Sequence, residues 1–167
     1  MTTDRADPPL AAGEREMLAA WLDYHRATLA RKCDGLDDAQ LRERSVPPSS
    51  LSLLGLVRHM TEVERGWFRR GVLGEDVPPR YYRDDNPGGD FDHAGTADPA
   101  EAFAAWREEC EQARRAEAAA PSLDAGFERR GRRFTLRWVM VHLIEEYARH
   151  NGHADLLRER IDGATGD

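Results

Sequence analysis

Side chains that can bind metal or transfer protons crowd one stretch near the carboxyl end, "HLIEEYARHNGHAD", residues 142–155. The stretch holds three histidines and two glutamates, and its apolar flanks predict a helix. On a helical wheel, Glu146, His150 and His153 point to the same side as the leucine stripe. A buried carboxylate costs on the order of several kcal/mol unless it is paired or bound to metal. The stretch therefore predicts a polar site on the buried face of this helix.

Glu146 and His150 are candidate metal ligands, because a spacing of four residues lets both side chains reach one point. A metal ion would neutralise the carboxylate and use an imidazole nitrogen. A Glu–His hydrogen bond, or an arginine partner for Glu146, would satisfy the same site without metal. His142 lies ~12 Å from His150 along the helix axis, too far for both to bind one ion. From this helix alone, a metal site and a structural polar pair both remain open.

His59 is the candidate third ligand. It lies in "LGLVRHMTEVERGWF", at the edge of the apolar stripe of another predicted helix. A histidine at that position is also typical of a hydrogen-bonded core residue. Two histidines and one carboxylate form a facial triad with open positions, which suits Zn²⁺, Ni²⁺ or Fe²⁺. His153 would then orient a ligand or relay a proton from outside the triad.

Four predicted helices position these residues, at about 13–34, 52–73, 99–120 and 136–161. They indicate an all-α fold, a four-helix bundle with a long crossover loop between helices two and three. A capping box at Asp37 and Gln40 predicts a further short turn. "FERRGRRF" predicts a hairpin or turn before the last helix. The predicted N-caps are Ser50 or Ser52, Asp98 and Thr135.

The predicted crossover loop, residues 74–97, is rich in Pro, Gly and Asp. Loops of this length are uncommon in compact domains and are often functional. We expect its Tyr81, Tyr82 and several aspartates to line a substrate opening.

Composition restricts the class of protein and its partners. The 167 residues fit a single domain over 1–167, and 40% hydrophobic with 33% charged residues are typical of a globular chain. A net charge of −7 disfavours nucleic-acid binding, which relies on Lys and Arg. No apolar run approaches the ~20 residues that cross a bilayer, and "MTTDRADPPL" lacks signal-peptide features. We therefore expect a cytoplasmic protein with no membrane or nucleic-acid partner.

Two cysteines, Cys33 and Cys110, lack metal-ligand spacing. In a chain without an export signal we expect both to be reduced and structural.

Two longer stretches resemble a known family. "LVRHMTEVERGWFRR", around His59, and "HLIEEYARHNGHADLLRERIDG", around Glu146 and His150, are similar to the DinB/YfiT-like superfamily of metalloenzymes. The resemblance covers most of the chain and is greatest to an actinobacterial branch that shares "EEYARHNGHADLLRE". It implies a helical bundle in which His59, Glu146 and His150 hold a divalent metal, Zn²⁺ ahead of Ni²⁺ or Fe²⁺. Related N-terminal domains of mycothiol-dependent maleylpyruvate isomerases also use His, Glu and His.

Three functions are consistent with this resemblance. The first is a metal-dependent S-transferase or isomerase that uses a thiol such as mycothiol and a small-molecule substrate, with the metal lowering the pKa of the thiol. The second is a metal-dependent hydrolase. The third is a non-catalytic, stress-related metal-binding protein. Arg58 and Arg149 are the nearest candidates to contact carboxylates of a thiol cofactor, and a solvated role is the alternative for each.

The resemblance also implies a homodimer. Trp21, Trp106 and Trp138 point in several directions from the predicted helices. Together they present more aromatic surface than one small bundle readily covers. We therefore expect two copies of the chain to associate.

Overall fold

The computed structural model describes residues 5–166. Within that range the chain is mostly helical, with one small sheet. The elements are α1 (Glu14–Cys33), α2 (Asp38–Arg42), α3 (Leu53–Glu64), α4 (Gly89–Asp92), α5 (Pro99–Ala119), β1 (Gly126–Arg129), β2 (Arg132–Thr135) and α6 (Leu136–Asp162). A π-helical segment, Arg65–Val72, continues α3, and a 3₁₀ turn, Ala94–Thr96, follows α4. Among these residues, no helix has the length and apolar character needed to span a membrane.

The predicted N-caps of the helices after α1 are confirmed by side-chain hydrogen bonds. Ser52, rather than Ser50, accepts a hydrogen bond from the backbone N–H of Gly55 at the start of α3. Such caps satisfy N–H groups that have no partner inside the helix. The short α2 begins with the predicted capping box. Asp98 and Thr135 cap α5 and α6 in the same way.

The second long helix differs from the regular α-helix that the pattern predicted, because its last eight residues are π-helical. This segment contains Gly66 and Gly71, and the ring of Phe127 lies 2.9 Å from the point that a Cβ on Gly71 would occupy. Glycine is a weak α-helix former, and here it leaves room for a side chain from β1. Trp67 and Arg70 therefore lie on a widened helical turn next to the hairpin.

The predicted hairpin is confirmed and adds a two-stranded antiparallel sheet to the helices. Phe127 of β1 pairs with Phe134 of β2, and Arg129 pairs with Arg132. The two turn residues, Arg130 and Gly131, have φ angles of 51° and 71°. Positive φ at both central positions defines a type I′ turn, which matches the twist of a two-residue hairpin.

The core lies where the long helices meet. α1 packs against α6, and α3 packs against both α5 and α6. The largest fully buried side chains are Leu22, Leu29, Leu53, Leu54, Leu56, Met60, Phe68, Leu136, Met140, Leu143, Tyr147 and Leu157. Because α3 and α6 are neighbours, polar residues at the edges of their apolar stripes can meet.

A buried polar cluster lies inside this core. Arg26 donates from Nε and Nη2 to the two carboxylate oxygens of Glu64, at 2.8 and 2.9 Å. The hydroxyl of Tyr147 donates to Glu64 at 2.8 Å and accepts from the indole of Trp106 at 2.9 Å. A fully buried carboxylate is tolerated because it is paired and hydrogen-bonded. Cys110 borders the cluster, 3.7 Å from Glu64.

Both cysteines are free and buried, as we expected from the sequence. Burial raises the pKa of the Cys33 thiol to about 12 and also raises that of Cys110. A thiol that stays protonated is a poor nucleophile and a poor metal ligand. Both therefore serve as small core residues.

The connection between the second and third long helices is more ordered than a loop. It contains α4, the 3₁₀ turn and an isolated bridge between Arg83 and Asn86. Glu62 of α3 accepts hydrogen bonds from the backbone N–H groups of Arg80 and Tyr81. The connection is therefore fastened along one face of α3.

Candidate metal centre

The structure brings His59 of α3 together with Glu146 and His150 of α6. One potential ligand atom from each lies within 4.8 Å of the other two. Oε2 of Glu146 is 3.3 Å from Nε2 of His150 and 3.9 Å from Nε2 of His59. Both distances exceed the usual length of an N–H···O hydrogen bond. They match the roughly 3–4 Å that separates two ligands each bound about 2.1 Å from one ion.

The charges around this group favour the binding of a cation. Burial opposes a charge on His59, but the carboxylates of Asp90 and Glu146 outweigh it and raise the pKa of His59 to about 9. The imidazoles of His150 and His59 hold the pKa of Glu146 well below its usual range. A site that stabilises a proton on imidazole and an ionised carboxylate also attracts a cation.

Asp90, in α4, orients His59. Its Oδ2 lies 2.8 Å from Nδ1 of His59, and the side chain of Phe91 stacks on the imidazole with a 5.0 Å centroid distance. A carboxylate on Nδ1 keeps the proton there and leaves Nε2 facing Glu146. Asp90 is only 5% exposed. Sequence analysis placed aspartates of this connection at the substrate opening but did not identify Asp90 as the partner of His59.

Arg58 has a structural role that the sequence did not predict. It is buried, and it donates to the backbone carbonyls of Asp90 and Gly89 at 2.8 and 3.0 Å. Its guanidinium also lies 4.0 Å from the centre of the Tyr81 ring. Through these contacts Arg58 holds α4 against α3. The solvated alternative is wrong for this residue because it is buried, and the contact to a thiol cofactor stays a prediction.

Arg149 is exposed and forms an ion pair with Glu145 on the solvent side of α6. This arrangement agrees with the solvated alternative for Arg149.

The helical wheel predicted that Glu146 and His150 point along the buried stripe of α6, and the structure shows that the stripe is rotated away from them. The buried stripe runs through Leu143, Tyr147 and Asn151, whereas Glu146 and His150 are half-buried at its edge. Their side chains are 19% and 12% exposed. The stripe is rotated because α6 packs against α1 as well as α3. The site consequently lies at the rim of the core, within reach of solvent.

His153 lies outside the group of three. Its Nδ1 is 3.3 Å from Nδ1 of His150, on the side of that ring that faces away from Glu146. Burial, followed by the positive charges of His150 and Arg149, lowers the pKa of His153. His153 is therefore placed to exchange a hydrogen bond with His150.

His142, which spacing separated from His150, contacts Glu146 on the other side. Its Nε2 is 3.6 Å from Oε1 of Glu146, and its Nδ1 is 3.3 Å from Oε2 of Glu145. These three residues form a second, more exposed group of potential ligand atoms. Glu146 thus lies between two sets of histidines, a feature that sequence analysis missed.

An aromatic cluster borders His142. We use this name for the side chains of Trp67, Phe134, Trp138 and His142. The ring of His142 stacks on Trp138 at 4.8 Å and meets the edge of Trp67 at 5.1 Å. Trp67 also contacts Phe134 of β2, at 5.3 Å. The cluster provides an apolar wall next to Glu146, and Trp138 is 43% exposed on it.

A mostly helical chain with a His–Glu–His group between two long helices fits the DinB/YfiT-like class that the sequence resembled. The family profile for mycothiol S-transferases matches residues 17–163, so the chain belongs to that family, within the DinB/YfiT-like actinobacterial superfamily. No curated protein matches the chain.

Proposed function

We propose that the protein is a divalent-metal-dependent S-transferase that joins a mycothiol-type thiol to a small electrophilic substrate. Membership of the mycothiol S-transferase family supports the thiol and the transfer. The observation that carries the metal is the convergence of His59 and His150 on one oxygen of Glu146, at distances longer than hydrogen bonds. The site lies at the rim of the core, so a small molecule can reach it.

The residues present fit a transition-metal ion. Two imidazole nitrogens and one carboxylate oxygen suit Zn²⁺, and we propose it ahead of Ni²⁺ or Fe²⁺. Structural zinc normally has four protein ligands, whereas His59, Glu146 and His150 provide three. When bound, the ion would act as a Lewis acid that lowers the pKa of a thiol and favours thiolate at neutral pH.

The surrounding residues prepare this site for the reaction. Asp90 accepts the Nδ1 proton of His59 in a hydrogen bond, so Nε2 is the nitrogen that gives up its proton and binds the ion. His153 lies next to the group of three, with its Nδ1 3.3 Å from Nδ1 of His150, and we propose that it relays the proton released by the thiol. The sulfur then bonds to the electrophilic carbon, and the leaving group departs with the bonding electron pair.

The decisive experiment is metal analysis of the purified protein, followed by a conjugation assay with and without mycothiol. We expect a divalent ion near one per chain, and product formation only when both thiol and metal are present. Substrate turnover by the metal-loaded protein without thiol would replace this proposal with the hydrolase alternative. Metal binding with no turnover of any electrophile tested would favour the non-catalytic alternative.

We also propose one domain over residues 1–167 and a cytoplasmic homodimer. Trp21 and Trp138 support the dimer, since they are 41% and 43% exposed. Trp106 does not support it, because it is buried in the core and bonded to Tyr147.

A further inference from the structure

Within the described part of the chain, two arginines near the aromatic cluster lack acidic partners. The Nη2 atoms of Arg70, in the π-helical segment, and Arg129, in β1, both lie within 4 Å of the point that a Cβ on Gly66 would occupy. Over residues 5–166, neither guanidinium forms an ion pair with a carboxylate. Their neighbours Arg65 and Arg69 differ, since both pair with Glu109.

The environment of these two arginines is unfavourable for two like charges. Among the described residues, Nε of Arg70 is buried without a hydrogen-bond partner, and its Nη2 donates to the hydroxyl of Tyr82, at 3.1 Å. Burial, followed by the positive charges of Arg70 and Arg130, lowers the pKa of Arg129. Adjacent, partly buried cations without counter-charges are stabilised when an anion binds between them.

A continuous series of contacts links this pair to the candidate metal centre. The guanidinium of Arg129 lies 4.6 Å from the centre of the Trp67 ring. Trp67 contacts His142, whose Nε2 lies 3.6 Å from Glu146. The path from Arg129 to Glu146 therefore runs along an aromatic surface with a cation at one end and ligand atoms at the other.

We propose that Arg70 and Arg129 form a carboxylate-binding subsite for a ligand whose apolar body lies on the aromatic cluster. Guanidinium groups bind carboxylates through charge-assisted hydrogen bonds, often in pairs. The aromatic side chains would contact the body of the ligand and direct its other end toward Glu146 and His150. Either the electrophilic substrate or the thiol carries this carboxylate. The role of the ligand as a reactant depends on the proposed function, whereas its binding does not.

The test compares matched anionic and neutral probes by calorimetry on the metal-loaded protein. One pair is 4-nitrobenzoate and 4-nitrobenzamide, which stand in for the electrophile. The other pair is N-acetylcysteine and its amide, which stand in for the thiol. In at least one pair we expect the carboxylate to bind about tenfold more tightly than the amide, the size of one charged hydrogen bond. The pair that shows this preference identifies which reactant the subsite serves.

Variants assign the preference to the two arginines. Arg129→Gln and Arg70→Gln should each bring the ratio of affinities close to one. Arg133→Gln is the matched control, because Arg133 is an exposed arginine of the same hairpin. It lies opposite Glu128 in the strand register, one position from the Arg129–Arg132 pair, so its side chain is on the other face of the hairpin. Arg129 lies in the hairpin, away from the buried core, so its variant keeps the test valid if Arg70→Gln fails to fold.

Three outcomes would overturn the subsite. They are equal binding of acid and amide in both pairs, a preference that survives Arg129→Gln, and an equal loss in Arg133→Gln. The second outcome places the carboxylate on the metal, and the third attributes the preference to the general charge of the hairpin. Because binding is measured without turnover, a failed conjugation assay leaves this result unaffected.

Discussion

Glu146 is the residue on which the candidate centre depends, since its two carboxylate oxygens face histidines on opposite sides. Oε2 faces His59 and His150, and Oε1 faces His142. A carboxylate in this position neutralises a cation and fixes the orientation of the imidazoles around it.

The first prediction concerns the ligands. Replacing His59, Glu146 or His150 by Ala removes one of three ligands, and we expect bound metal to fall to less than about a tenth, since each ligand contributes a direct metal bond. His142→Ala is the matched control and should keep most of the metal, because His142 lies outside the group of three. The measurement is metal content after dialysis, by mass spectrometry. Full stoichiometry in His59→Ala would show that the proposed ligand set is wrong.

A second prediction at the residue scale concerns Asp90, which holds Nδ1 of His59 at 2.8 Å. Asp90→Asn preserves the shape but removes the negative charge, and its amide can present N–H to Nδ1. We expect metal affinity to fall about 10- to 100-fold, as is typical when the carboxylate partner of a ligating histidine is lost. Competition with a chromophoric chelator measures this affinity.

Asp92→Asn provides the comparison, because Asp92 is an exposed carboxylate in the same short helix. An equal loss of affinity in both variants would indicate a general effect of charge, and not orientation of His59.

At the scale of elements, the connection that carries Asp90 depends on close backbone contact. A Cβ on Gly89 would lie 2.4 Å from the backbone oxygen of Tyr81. Backbone atoms cannot rotate away as a side chain does, so the connection must shift. We expect Gly89→Ala to lower the free energy of unfolding by about 1–3 kcal/mol, the usual cost of overpacking. Urea unfolding followed by circular dichroism measures it.

The control for that substitution is Gly95→Ala, since no described residue other than Gly95 and its two chain neighbours has an atom within 4 Å of the corresponding Cβ position. Gly89→Ala should also weaken metal binding, because a displaced α4 moves Asp90 away from His59. A Gly89→Ala protein with unchanged stability and metal affinity would contradict the tight fastening of α4 to α3.

The buried cluster joins four helices, α1, α3, α5 and α6, and leads to another prediction at this scale. Tyr147→Phe removes the hydrogen bond to Glu64 and the acceptor of the Trp106 indole. We expect a loss of about 1–3 kcal/mol in the free energy of unfolding, because buried polar groups lose partners that water cannot replace. Tyr24→Phe, at a half-buried position of α1, should change stability much less. Comparable urea midpoints for the two variants would argue against the cluster as a source of stability.

At the scale of the whole molecule, exposed apolar side chains support the proposed association of two copies. Besides Trp21 and Trp138, Val141 and Leu156 are also exposed, at 52% and 58%. We expect light scattering at micromolar concentration to give twice the chain mass of 18.9 kDa. A monomer mass under those conditions would remove the dimer from the proposed function.

Much of the local structure was predictable from sequence because its causes lie within a few residues. Ser52, Asp98 and Thr135 cap the helices that follow them. "RRGRR" forms a hairpin turn because Gly131 accepts a positive φ. Glu146 and His150 share a side of α6 because four residues make about one helical turn. These effects depend on backbone geometry and neighbouring side chains, which the order of residues specifies directly.

Only the tertiary structure decided which distant groups meet. Asp90 is 31 positions from His59, and its place there depends on the path of the connection, which Arg58 and Glu62 hold against α3. The same applies to Arg70 and Arg129, which meet over Gly66 because the π-helical segment passes the hairpin. No periodic pattern specifies such contacts, since they arise from how helices pack and not from the conformation within each helix. The α3–α6 contact is the physical reason that His59 reaches Glu146 and His150.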